Sequence, residues 1–198
     1  MTLLIFGLML FLGIHSVQII NPRIRARTIE KGGSLGAWMW PYTAIAATGL
    51  LCIIFGYGLA RPQASLLYSP SPALQHVALL LMLPVFPLLI ATYLRGYIRT
   101  VLQHPMLIAT LFWALAHLLA NGGWADVLLF GAFLLWAIAD WLSLRRRQST
   151  ESRSSTNVTS WHRNDLIAIF AGLLLYGLFI IDLHARFFGA WPIAALAR

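Results

Sequence analysis

Six apolar runs, residues 2–20, 40–60, 74–94, 105–120, 124–142 and 165–183, fill most of the chain and are separated by short polar connections. A helix needs roughly 20 apolar residues to cross a bilayer whose hydrocarbon core is about 30 Å thick, so each run is sized for one crossing. The pattern predicts an all-α, polytopic transmembrane bundle of six spans forming a single domain, residues 1–198. No basic residue precedes the first run, and Arg23, Arg25, Arg27 and Lys31 follow it, the reverse of a cleavable secretory signal. It is read as a retained span.

The interruptions within this pattern carry information too. Pro84 and Pro87 predict a bend in the third span, and a bend frees backbone carbonyls that neighbouring helices or water must satisfy. Asn121-Gly122-Gly123 predicts a tight turn between spans four and five, with glycine permitting a positive φ. Small residues four apart, Ala44 with Thr48, Ala116 with Ala120 and Ala168 with Gly172, allow close helix contact. Residues 148–160 are polar and rich in Ser and Thr, and are read as a flexible cytoplasmic loop. Asn157-Val158-Thr159 within it matches the glycosylation pattern, a chance match on that side of the membrane.

Composition supports the membrane reading. Of 198 residues, 60% are hydrophobic and 10% charged, where a soluble domain carries about a quarter charged. The formal net charge of +8 is distributed unevenly. Arg23, Arg25, Arg27 and Lys31 follow span one, Arg95 and Arg99 follow span three, and Arg145, Arg146, Arg147, Arg153 and Arg163 follow span five. Only Arg61, Arg186 and Arg198 lie on the other side. Basic short loops stay cytoplasmic, so both termini are expected in the periplasm and the three basic connections in the cytoplasm. The excess of arginine is thus assigned to topology and anionic lipid, and no nucleic-acid partner is expected. A single cysteine, Cys52, gives no disulfide framework, no C-x-x-C zinc site and no c-type haem attachment. Phosphate-binding glycine loops are absent.

Chemistry is carried by the six histidines. His15 and His117 fall inside predicted spans, where an ionisable side chain is costly and needs a partner. On a regular helix His15 lies between Phe11 and Ile19, with Gln18 as its polar neighbour. His117 shares a face with Trp113, Ala114, Ala120 and Asn121, and the two alanines leave room for something flat. Singly, each histidine reads as a structural hydrogen-bonding group. As a pair, imidazoles from facing helices are an arrangement that holds b-type haem in a bundle core. His104, preceding Pro105 at an interfacial helix start, competes for the role. It lies about 20 Å from His117 along one helix, so these two cannot share an iron. Depth favours His15 with His104, because the expected topology offsets His15 from His117 by on the order of 10 Å. His76, His162 and His184 lie at span edges and read as interfacial. Asp140 and Asp182 lie inside or near span ends, and Asp126 begins span five. Asp182 reads as a structural partner of His184 or Arg186, with a proton-handling pair as the alternative.

Two segments carry a resemblance. Gly13-Ile14-His15-Ser16 in span one and HPMLIATLFWALAHLLANG, from His104 to Gly122, are similar to the NnrU family. Further similar features are Gly56-Tyr57-Gly58, the LLLMLP run ending at Pro84, and Tyr176 with His184 and Pro192. That family is named for its association with nitrite and nitric oxide reduction in denitrifying bacteria, and it looks like a relative of plant zeta-carotene isomerase, a membrane b-haem enzyme. The resemblance implies a bacterial inner-membrane protein with haem b held by His15 and His117. His104, Trp113, Ala114 and Asn121 would then lie around the ligands. A cysteine acts as an alternative ligand in the plant relative, three residues before the second histidine; Ala114 stands here, which puts thiolate switching in doubt.

Two haem functions follow. One is an enzyme whose iron, with a displaceable histidine, isomerises a double bond of a hydrophobic, lipid-phase polyene. The other is a non-catalytic redox or sensor component for nitrogen-oxide reductase machinery. The discriminator is uptake of carbon monoxide or nitric oxide by reduced iron. His104-Pro105 before a helical hairpin also occurs in membrane methyltransferases, but no cofactor pocket is legible. A cofactor-free scaffold is the remaining alternative. On the haem readings His15→Ala and His117→Ala each lower haem content, and His104→Ala retains most of it.

Overall fold

A computed structural model of the chain describes residues 1–21, 24, 34–148, 161 and 163–193. Helix α1 spans Thr2–Ile20 and α2 spans Leu35–Ala60, followed by a 3-10 turn at Arg61–Gln63. Helices α3 (Pro72–Met82), α4 (Val85–Tyr93), α5 (Tyr97–Leu102) and α6 (Pro105–Ala120) come next. Helix α7 is Trp124–Gln148, and α8 (Arg163–Leu178) runs through a π-helical turn, Phe179–Leu183, into α9, His184–Phe188. The described residues contain no strand, only an isolated bridge between Leu66 and Gly123.

Five helical stretches are long and apolar enough to cross a membrane: Thr2–Ile20, Trp38–Gln63, Pro72–Tyr93, Trp124–Arg147 and Arg163–Phe188. The protein is an all-α membrane protein. The sixth expected span is the 16-residue α6, which rises about 24 Å and is shorter than the others. Hydropathy located the apolar segments but not every helix end. Helix α7 continues past residue 142 because its last turns satisfy their own polar groups. There the Arg145 guanidinium lies 4.5 Å from the centre of the Trp141 ring, and Arg147 lies 3.9 Å from Asp140. Cations at a helix C-terminus also meet the favourable end of the macrodipole. The basic residues at 23, 25, 27, 31, 153 and 198, the loop at 149–160 with Asn157, and His162 lie outside the described residues.

The helices form two compact units. In the first, α1 packs along α2 at very short range, and α7 packs on α1. Three glycines set that approach. A Cβ on Gly49 would lie 2.7 Å from the Phe11 nitrogen, one on Gly56 2.5 Å from that of Leu4, and one on Gly7 2.6 Å from that of Ile53. Ala44 and Thr48 are exposed instead, so the expected small pair in this helix misses the packed face by one position.

At the end of α2, Tyr57 donates to the buried Asp126 at 2.5 Å, and the Gly123 N–H donates to the same carboxylate at 3.0 Å. Arg61 lies 3.9 Å from it. The turn at 121–123 does not use a positive φ, which among the described residues occurs only at Gln103 and Gly189. Glycine is needed there for proximity: the Leu67 and Tyr68 N–H groups donate to the Gly122 carbonyl at 2.7 and 3.2 Å, leaving no space for a side chain.

In the second unit, Val85 and Leu88 of α4 and Ala109 of α6 form a buried core, with Ile98, Leu102, Phe112 and Trp113 packed against it. The expected proline bend is a break between α3 and α4. Pro84 has no N–H and Leu83 bonds back only to Leu80, so the Leu79 carbonyl loses its helical donor; the Tyr176 hydroxyl of α8 donates to it at 2.6 Å. Ala168 and Gly172 lie on the face of α8 that meets α4, where Gly172 abuts Pro87. At the other end of α8, the carboxylate of Asp165, 2% exposed, accepts the Tyr97 and Ile98 N–H groups at 2.9 Å each. Asn164 donates to the Arg95 carbonyl at 2.7 Å. These contacts shape α5, which no hydropathy run announced.

Candidate functional site

The intramembrane histidines share one local device. His15 Nδ1 lies 2.6 Å from the Phe11 carbonyl and His117 Nδ1 lies 2.9 Å from the Trp113 carbonyl, each four residues back on its own helix. A carbonyl only accepts, so Nδ1 must carry the hydrogen, and a neutral ring then has its lone pair at Nε2. This is the tautomer that metal-ligating histidines use, with the second nitrogen oriented by a backbone carbonyl.

His15 sits in the first unit among aromatic rings: Phe11 at 4.3 Å between centroids, Tyr42 at 5.5 Å and Trp136 at 6.0 Å, the last nearly perpendicular to it. The Trp136 indole N–H is buried with no hydrogen-bond partner among the described residues. A buried donor left without an acceptor costs about 1–3 kcal/mol. That donor suits a bound group bearing an acceptor.

His117 sits in the second unit, with Trp113 at 5.3 Å. Ala114 is fully buried and offers no ligand atom. The imidazole of His184 lies 6.4 Å from that of His117 between centroids, with planes 27° apart. His184 also sets its Nδ1 on a backbone carbonyl, but one six residues ahead and beyond its helix, that of Ala190 at 2.7 Å. Gly189 makes that possible. Its φ of 66°, natural to glycine, ends α9 and turns the chain so that the next carbonyl returns to the helix start.

His184 was read from the sequence as an interfacial residue. That reading came from its place at the end of span six; in the structure it follows directly on the π turn at Phe179–Leu183. The legible signal was Gly189, five residues on, as a helix stop. Asp182 pairs with Arg186 rather than with His184. His104 starts α6, its carbonyl accepting the Leu107 N–H at 3.1 Å. His76 is exposed on α3. Asn121, expected near the ligands, belongs to the first unit, where its carbonyl accepts the Tyr68 hydroxyl at 2.9 Å.

No group of three or more His, Cys, Asp or Glu suited to a metal ion occurs among the described residues. No curated protein and no solved structure matches the chain. The profile of the NnrU protein family matches residues 3–192, a stretch that holds all three of these imidazoles and nearly all of both units. The chain is a member of the NnrU protein family.

Proposed function

We propose that this NnrU protein is an inner-membrane haem b protein whose iron is held on His117, with His15 as the second ligand that the family resemblance implies. The observation that carries the proposal is the fixed tautomer: the Nδ1 atoms of both rings rest on backbone carbonyls, so Nε2 is the ligating atom. The orphaned Trp136 donor beside His15 is a second support. Haem would supply one-electron redox chemistry and a coordination position for a small diatomic molecule.

The chain's own residues orient that group. The carbonyls of Phe11 and Trp113 hold the two rings by their Nδ1 atoms and leave Nε2 as the ligating nitrogen. Ala114 favours electron transfer or sensing within nitrogen-oxide respiration over isomerisation of a polyene by thiolate exchange, since the methyl group has nothing to exchange. The Arg95 and Arg99 connection and the Arg145–Arg147 run are proposed to face the cytoplasm.

The test is spectroscopic. The chain purified in mild detergent is expected to show a strong Soret band with one haem per chain, and His117→Ala is expected to lose it while His104→Ala keeps it. Carbon monoxide shifting the reduced spectrum would direct the reading to chemistry at iron; no shift would direct it to electron transfer. A colourless protein that also refuses added haem overturns the proposal.

A further inference from the structure

We propose that the end of the second unit built around α5 is a seat for the phosphate headgroup of an anionic phospholipid, held by Arg95, Arg99 and Arg163. The inference is independent of the haem reading, since it uses none of the histidines.

The arginines of the described residues fall into two groups. Arg61, Arg147 and Arg186 lie against Asp126, Asp140 and Asp182, Arg145 lies on the Trp141 ring, and Arg146 is engaged as well. Arg95, Arg99 and Arg163 are exposed and have neither an ion pair nor a side-chain hydrogen bond among the described residues. The fold gathers these three at one place. The Asn164 amide donates to the Arg95 carbonyl at 2.7 Å, and Asp165 accepts the Tyr97 and Ile98 N–H groups at 2.9 Å each, so the start of α8 is fastened across the start of α5. Arg163 precedes the fastening residues on α8, and Arg95 and Arg99 bracket them on the other side. Gly96 permits the approach, because a Cβ there would collide with the Asp165 carboxylate.

The carboxylate at this place faces inward. Asp165 is 2% exposed and committed to backbone amides, so the outer face presents three guanidiniums. Arg163 is also the first residue of a 16-residue helix, the end at which the macrodipole disfavours a cation and favours an anion. An anion between the guanidiniums relieves both their mutual repulsion and the conflict with the dipole.

Depth in the membrane identifies the anion. The apolar spans Pro72–Tyr93 and Arg163–Phe188 terminate here, which puts the cluster at the level of lipid headgroups. Tyr93 is 75% exposed, and Trp161, 60% exposed, has its ring 5.4 Å from that of Tyr97, as suits aromatic side chains at the membrane boundary. A guanidinium matches phosphate oxygens with a planar fork of donors. A free phosphate would leave Tyr93 and the exposed Val101 of α5 uncovered, whereas a phospholipid brings acyl chains to cover them.

The experiment titrates the full-length protein in detergent with phosphatidylglycerol or phosphatidylcholine and counts bound lipid by native mass spectrometry. Wild type is compared with the triple variant Arg95→Gln, Arg99→Gln, Arg163→Gln and with the triple variant Arg145→Gln, Arg146→Gln, Arg147→Gln, which removes the same charge from α7. An arginine beside an anionic surface contributes about fivefold in affinity, so the α5 variant is expected to bind phosphatidylglycerol roughly a hundredfold more weakly. The α7 variant is expected to bind it nearly as wild type does. Equal losses in the two triple variants, no loss in the α5 variant, or phosphatidylcholine bound as tightly as phosphatidylglycerol overturns the site. Glycerol phosphate displacing the lipid at equal concentration overturns the lipid assignment in favour of a free anion. If the α5 triple variant fails to fold, Arg99→Gln alone decides, with a loss of about fivefold expected and wild-type affinity overturning the site. Every arm reads bound lipid rather than haem, so failure here leaves the haem reading standing.

Discussion

The Tyr176 hydroxyl donates a 2.6 Å hydrogen bond to the Leu79 carbonyl, the group that the Pro84 break deprives of its own helix. Water is scarce at this depth, so a second helix must supply the missing donor, and α8 does so. Tyr176→Phe keeps the ring and removes only the donor. We expect a loss of about 1–2 kcal/mol, since a carbonyl is left unsatisfied in an apolar setting. Thermal unfolding in detergent measures it, and an unchanged midpoint would show that water reaches Leu79.

Asp165 is the corresponding brace at the other end of α8. Its carboxylate receives two backbone N–H groups of α5, a six-residue helix too short to persist without help. Asp165→Ala is expected to cost about 2–3 kcal/mol, because hydrogen bonds to a charged acceptor are worth more than neutral ones. Asn recovers at most part of this, as its NH2 group faces an N–H. Hydrogen exchange should accelerate at the Tyr97 and Ile98 amides, while amides in the middle of α7 stay protected.

The packing of α1 on α2 predicts an asymmetry among glycines. A methyl group on Gly49 would lie 2.7 Å from the Phe11 backbone nitrogen, so Gly49→Ala must push two helices apart and is expected to cost about 1–3 kcal/mol. Gly58, nine positions on, has nothing within 4 Å of an added Cβ. Gly58→Ala should be neutral or stabilising by up to about 1 kcal/mol through helix propensity. Equal melting temperatures for the two variants would refute the close contact.

The legible and illegible parts of this chain divide along physical lines. Burial in lipid depends on composition over roughly 20 residues, so the apolar runs announced the helices, and the missing N–H of Pro84 announced the break. The identity of the residue that repairs the break was not legible, because it depends on tertiary approach between residues 97 positions apart. Likewise His15 and His117 stood out as polar atoms inside apolar runs, but the neighbour of His117 did not. His184 was read from its place at a span edge, and its approach to His117 depends on how two distant helices pack. The glycine contacts between α1 and α2 were also missed: Gly7, Gly49 and Gly56 are small residues whose partners are backbone atoms rather than one another.

The division into two units has a consequence for how the chain is made. Neither unit is a continuous stretch: the first closes only when α7 joins α1 and α2, and the second only when α8 joins α3 to α6. A ribosome feeding this chain into a membrane therefore finishes nothing at its midpoint. Until α8 emerges, Tyr97 and Ile98 lack their carboxylate and Leu79 lacks its hydroxyl, so chains stalled or cut before residue 163 should be recognised by membrane proteases as incomplete.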